Sequence, residues 1–152
     1  MEAAQSTFIS STFWTERIGP SAALKTLEVM DRMRSWELIT ETGRQIGERW
    51  QSLADHHGLD ISIGGLPSMI GFQFPSPDML KYKTLITQEM LKQGFLATNT
   101  VYVCTEHVAP VVDRYLAALN SVFALIRECE MGRDVDGVLE GPVCHAGFRR
   151  LN

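Results

Sequence analysis

The chain has 152 residues, 45% of them hydrophobic and 21% charged, with a formal net charge of -4. That length allows one domain with a sizeable core, or a piece of something larger. A mildly acidic chain has no electrostatic reason to hold a polyphosphate backbone, which argues against a nucleic-acid binder.

No uninterrupted apolar run approaches the roughly 20 residues that span a bilayer, so a membrane protein is not expected. The segment from Met1 to Trp14 has no basic start and no apolar core, so it does not read as a signal peptide. Cys104, Cys129 and Cys144 are odd in number and widely spaced. They give neither a disulfide framework nor a paired zinc knuckle. A soluble, reducing, cytoplasmic setting is the default expectation.

The stretch from Gln5 to Thr15 is rich in Ser and Thr and contains aromatic residues, and it reads as a strand or loop. Gly19-Pro20-Ser21 then signals a helix start, because Pro in the first turn forfeits no hydrogen bond. That helix runs to about Met33. Trp36, Ile39, Gly43, Ile46, Trp50 and Leu53 recur at spacings of 3 and 4 and predict a second helix. Gly43 within its apolar stripe predicts a close approach by another element, since Gly costs about 1 kcal/mol of helix propensity relative to Ala. His56-His57-Gly58 predicts its end.

Strand signals follow at Asp60 to Ile63 and at Met69 to Phe74. They are separated by Gly64-Gly65-Leu66-Pro67, which predicts an antiparallel hairpin turning over those four residues. Pro75 and Pro77 close the second run. A third helix is predicted from Asp78, with Met79, Tyr82, Ile86 and Met90 on one side and Gly94 as its cap. A short strand at Val101 to Cys104 precedes a last helix from about Ala109 to Cys129. The tail, Gly132 to Asn152, shows no clear period. Helices gathered on a small antiparallel sheet make an α+β fold.

Several clusters could carry chemistry. Ser10-Ser11-Thr12 and Thr15 lie just before a helix N-terminus, where hydroxyls, backbone N–H groups and the helix dipole suit a phosphate. Capping and turn chemistry explains most such clusters. Adjacent His56 and His57 make a poor bidentate metal site and read as a solvated helix end. His107, beside Glu106, reads as a capping or buried hydrogen-bonding residue. Cys144-His145 could form a thiolate pair, but sequence neighbours rarely face each other productively. Arg149-Arg150 could bind a carboxylate, or make a surface ion pair. Lys25, Lys81, Lys83 and Lys92 look like solvated helix lysines. No spacing typical of zinc proteases, thiol redox motifs or serine hydrolases occurs. These residues alone give an α+β domain with a possible phosphate loop, and no reaction.

The stretch from Phe8 to Ala23 resembles a segment of class III aminotransferases, the pyridoxal phosphate enzymes of fold type I that include glutamate-1-semialdehyde aminomutase. Thr15 and Pro20 hold the family's five-residue spacing, and Ala22-Ala23 follow. Met90 to Leu96 resembles the family's leucine-lysine-glycine turn. Tyr102 to His107 resembles the strand that ends in a histidine before the last helix.

The resemblance covers essentially the whole chain, and it implies a C-terminal portion only. Residues 1–33 would be an interface strand and a long linker helix from the large domain, and 34–152 the C-terminal small domain. It further implies that Thr15 hydrogen-bonds the cofactor phosphate across a dimer interface, with Ser11 and Thr12 as weaker neighbours.

The expected departures are the Schiff-base lysine, the aspartate that pairs with the pyridinium nitrogen, and the glycine-rich phosphate turn. In the family all three lie upstream of this segment. Gly94 to Tyr102 is also too short for the acidic loop of true aminomutases, which favours a plain transaminase-like relative. The expected function is amino-group transfer between an amine or amino acid and a carbonyl compound, with pyridoxal phosphate as cofactor. The chain alone is expected to be inactive, its partner being a missing large domain or a second copy. The alternative is a free-standing structural or protein-interaction domain without catalysis.

Overall fold

The structure, a computed structural model, describes residues 16–147. These fall into two compact units that divide between Ser35 and Trp36. The expected strand or loop up to Thr15 lies outside the described residues, as does Arg149-Arg150.

The described part of the first unit is essentially helix α1, Ile18–Met33. It begins two residues before Pro20 because Glu16 supplies the cap. The Glu16 carboxylate accepts from Ile18 N–H at 2.7 Å and from Gly19 N–H at 3.3 Å, satisfying two of the orphan donors of the first turn. Pro20 still loses nothing there. Arg34, in left-handed geometry at φ 49°, ends the helix. None of the residues of α1 is buried, and Leu24 and Leu27 are largely exposed.

The second unit follows the predicted order. Helix α2 spans Ser35–His57, and Gly58 takes the expected left-handed cap at φ +63°. Strands β1 (Ser62–Leu66), β2 (Met69–Gln73) and β3 (Thr100–Tyr102) form an antiparallel sheet in the order β1-β2-β3. Helix α3 spans Met79–Lys92, and α4 spans Ala109–Glu130.

The hairpin turns at Pro67-Ser68 rather than over Gly64 to Pro67, because Leu66 pairs with Met69. The register explains the difference. Ile63 lies opposite Phe72, and directly opposed residues share a face. Keeping Ile63 on the side of Phe72 leaves only two residues for the link. Gly64 and Gly65 therefore belong to β1, with Gly65 at φ +97°.

The sheet's inner face meets the helices through an aromatic cluster. Trp50 of α2 contacts Phe72 edge-on at 4.7 Å between ring centroids, Phe123 of α4 contacts Phe72 at 5.6 Å, and Phe74 contacts Tyr82 of α3 at 5.4 Å. Trp50 Nε1 donates to the hydroxyl of Tyr115 at 3.1 Å inside this core. The fold is α+β: a small antiparallel sheet covered by helices and preceded by a long helix.

Helix α4 is long and apolar enough to cross a membrane by length and composition. No other described helix is. Its apolar residues have a different occupation here, since Val112, Leu119, Val122, Phe123 and Ile126 are buried in the core. Its other side carries Asp113, Arg114 and Arg127.

Candidate functional site

Thr15, Ser11 and Thr12 all lie outside the described residues. Residues 16–147 contain no group of three or more His, Cys, Asp or Glu side chains placed to hold a metal ion.

The histidines have hydrogen-bonding or surface roles. His57 Nε2 lies 2.9 Å from Asn120 Oδ1, tying the end of α2 to α4, while His56 stays exposed. His107 Nδ1 accepts from Cys104 N–H at 3.3 Å and closes the turn between β3 and α4. The Cys144 thiol donates to the Leu80 carbonyl at 3.6 Å, so its recorded partner is the α3 backbone rather than His145.

The lysines decide whether residues 16–147 fit an aldehyde cofactor. An amine that attacks a carbonyl must be unprotonated, which calls for a lowered pKa. Lys81 is raised instead, chiefly by its hydrogen bonds to Asp136 and Asp78. Lys92 is raised by its hydrogen bonds to Glu140 and Glu89. Lys25 is held by Glu28 at 2.7 Å. Lys83 has no carboxylate partner among the described residues. It borders a pocket of about 180 Å³ and an open groove of about 390 Å³. Lys25, Lys81 and Lys92 do not fit the role of Schiff-base residue.

Two of these lysines belong to a feature whose tail portion has no periodic signal in the sequence. Lys81, Thr84, Gln88 and Lys92 lie on one stripe of α3, and each grips the tail. Lys81 Nζ is 2.7 Å from Asp136 Oδ2, and Lys92 Nζ is 2.7 Å from Glu140 Oε1. Gln88 donates to the Val138 carbonyl at 3.0 Å and accepts from Glu140 N–H at 2.7 Å. Thr84 Oγ1 accepts from Cys144 N–H at 2.9 Å. Residues 134–147 are thus a strap along α3, anchored at its start by buried Val135. Both ammonium groups stay solvent-exposed, as the sequence suggests, and their ion pairs to the strap are the added feature. The available signal was the 3-4-4 spacing of polar residues on one helix side, with the acids Asp136 and Glu140 in the tail.

No protein-family model matches the chain. Its curated relatives are informative. It is 31% identical over 130 residues to the 3-aminobutyryl-CoA aminotransferase of Cloacimonas acidaminovorans, a match covering 82% of this chain and 31% of that protein. It is 24% identical over 134 residues to the glutamate-1-semialdehyde 2,1-aminomutase of Hyperthermus butylicus, covering 79% and 32%.

The chain is a relative of the class III pyridoxal phosphate-dependent aminotransferases.

It spans about a third of the length of these relatives. The fold agrees with this kinship. The FumI protein of Sphingopyxis sp. MTA144, in its pyridoxal phosphate internal aldimine form, superposes with a TM-score of 0.74 over 90% of this chain and 34% of its own, at 18% identity. Among residues 16–147, Lys25, Lys81 and Lys92 are each engaged by carboxylates.

Proposed function

We propose that this chain is the C-terminal portion of a class III aminotransferase, one that transfers an amino group between an amine or amino acid and a carbonyl compound. The observation that carries this reading is the 31% identity to an aminotransferase over 82% of the chain, from a match that spans 31% of that relative. In this reading residues 1–33 are an interface segment and linker helix, and 34–152 the small domain.

The cofactor, when bound, stabilises the carbanion formed at the substrate's reacting carbon. In this reading the lysine that would hold it belongs to the large domain, as the resemblance implies, and Lys25, Lys81 and Lys92 are ion-paired here. The chain's own contribution is to bind and to shape the site. Thr15, with Ser11 and Thr12 as secondary donors, offers hydroxyls to the cofactor phosphate. The chain is completed by a lysine-bearing domain, and the whole works as a dimer on small amines and carbonyl compounds. The described cysteines are all free, which supports a reducing, cytoplasmic setting.

The test is to mix the chain with pyridoxal phosphate, trap any imine with borohydride and map the product. No single lysine is expected to retain the label. A specific adduct that disappears when one of the four lysines is replaced refutes the assignment of the anchor to another domain. Reading the DNA upstream of Met1 tests the rest. An in-frame segment encoding the lysine-bearing domain is expected there, or else on a companion gene, and absence of both contradicts the proposal.

A further inference from the structure

A pocket of about 180 Å³ opens where the end of β2, the first turns of α3 and the end of the strap meet. Its apolar lining with open surface is Met79 and Leu80, while Phe72, Phe74 and Ile86 are buried behind it. Its rim is polar, formed by Lys83, Gln73, Asn99 and His145.

The rim groups differ in whether they are already engaged. The Asn99 amide donates to the Phe72 carbonyl at 2.8 Å, and its oxygen accepts from the Thr98 hydroxyl at 3.3 Å. Asn99 is structural. The Lys83 ammonium, the Gln73 amide and the His145 ring have no partner among the described residues. Lys83 stands apart from the other lysines in this respect, since Lys25, Lys81 and Lys92 are each ion-paired. No acidic residue lines the pocket. Lys83 also borders the neighbouring groove with Glu140, but that carboxylate is held by Lys92 at 2.7 Å.

We propose that this pocket binds a small organic carboxylate with a short apolar tail, its carboxylate held by Lys83 and His145 and its tail lying on Met79 and Leu80. A half-buried ammonium with no acid lining this pocket calls for an anion, and a carboxylate accepts from both donors at once. The apolar lining selects against a bare inorganic anion, which would leave the apolar surface wet. The size limits the guest, since the volume equals about six water molecules at roughly 30 Å³ each. The strap is part of the device, because the grip of Thr84 on Cys144 N–H delivers His145 to the rim. The site is independent of where the cofactor lysine resides.

The probes are butyrate, n-butylamine and inorganic phosphate, titrated into the isotope-labelled full chain and followed by NMR. Butyrate is expected to shift the Lys83 side chain and the His145 ring saturably, with a dissociation constant on the millimolar order for so few atoms. Butylamine should produce no saturable shift, and phosphate only a weaker one. Lys83→Met should weaken butyrate by about tenfold or more, while Lys83→Arg, which keeps the charge, should largely retain it. Unchanged resonances in the distant part of the sheet report that each variant is folded. Absence of saturable shifts with butyrate overturns the proposal. So does equal binding by Lys83→Met, or phosphate binding as tightly as butyrate.

Discussion

Gly43 and Gly47 sit one turn apart on α2, both buried, and replacing each by Ala changes the same local energy. Ala improves helix propensity over Gly by about 1 kcal/mol at either position. The surroundings differ. A Cβ on Gly43 would lie 1.8 Å from the carbonyl oxygen of Pro67 and 2.6 Å from its carbon. Ordinary contact begins near 3.4 Å, so the turn between β1 and β2 must retreat by about 1.6 Å. That atom is backbone, fixed between two paired strands, and overpacking of this kind costs about 1–3 kcal/mol or more. A Cβ on Gly47 would lie 2.7 Å from Ile70 Cδ1, the free end of a side chain that can rotate away.

Gly43→Ala should therefore lose about 2 kcal/mol net, and Gly47→Ala should be neutral or gain up to about 1 kcal/mol. Urea unfolding followed by the fluorescence of buried Trp50 measures both. With a slope of about 1–3 kcal/mol per molar, the Gly43 variant should unfold roughly 1 M earlier than the parent. A Gly43→Ala protein as stable as the parent, or a pair of variants shifted equally, refutes the argument from close approach.

Three further outcomes are expected. Gln88→Ala removes both side-chain bonds that hold the middle of the strap, so the Glu140 amide should exchange with solvent markedly faster while Trp50 fluorescence stays unchanged. Tyr115→Phe leaves the buried Trp50 N–H without its acceptor and should cost about 1–3 kcal/mol at neutral pH. Burial also pushes the Tyr115 phenol well above its usual range, so the folded chain keeps a proton that the unfolded chain loses above about pH 10. Stability then falls as pH rises through that value, and Tyr115→Phe should flatten the fall by up to about 1.4 kcal/mol per pH unit. Finally, the exposed Leu24 and Leu27 of α1 should drive self-association, seen by light scattering and reduced by Leu24→Glu with Leu27→Glu.

The second unit was readable because its elements obey strong periods. In α4 the residues Val112, Tyr115, Leu119, Val122 and Ile126 recur at helical spacing and all are buried. Gly43 was readable for a different reason, as a costly residue in an apolar stripe whose cost needs a return, and the approach of Pro67 supplies it. What escaped reading has no period of its own. The strap is held by side chains reaching from α3 to scattered carbonyls, amides and acids, and its register is set by the helix rather than by the tail.

The same logic separates the lysines. Sequence spacing cannot tell Lys81, which finds Asp136 55 residues away, from Lys83, which finds no acid among the described residues. Two residues along a helix turn the side chain by about 200°. That rotation sends one ammonium to the strap and the other to the rim of a pocket. Thr15 is singled out by resemblance alone and lies outside the described residues. The fold is set by contacts within the chain, and its periods make it legible. A reaction is set by the groups that meet around a substrate, and spacing along one helix does not say which groups those are.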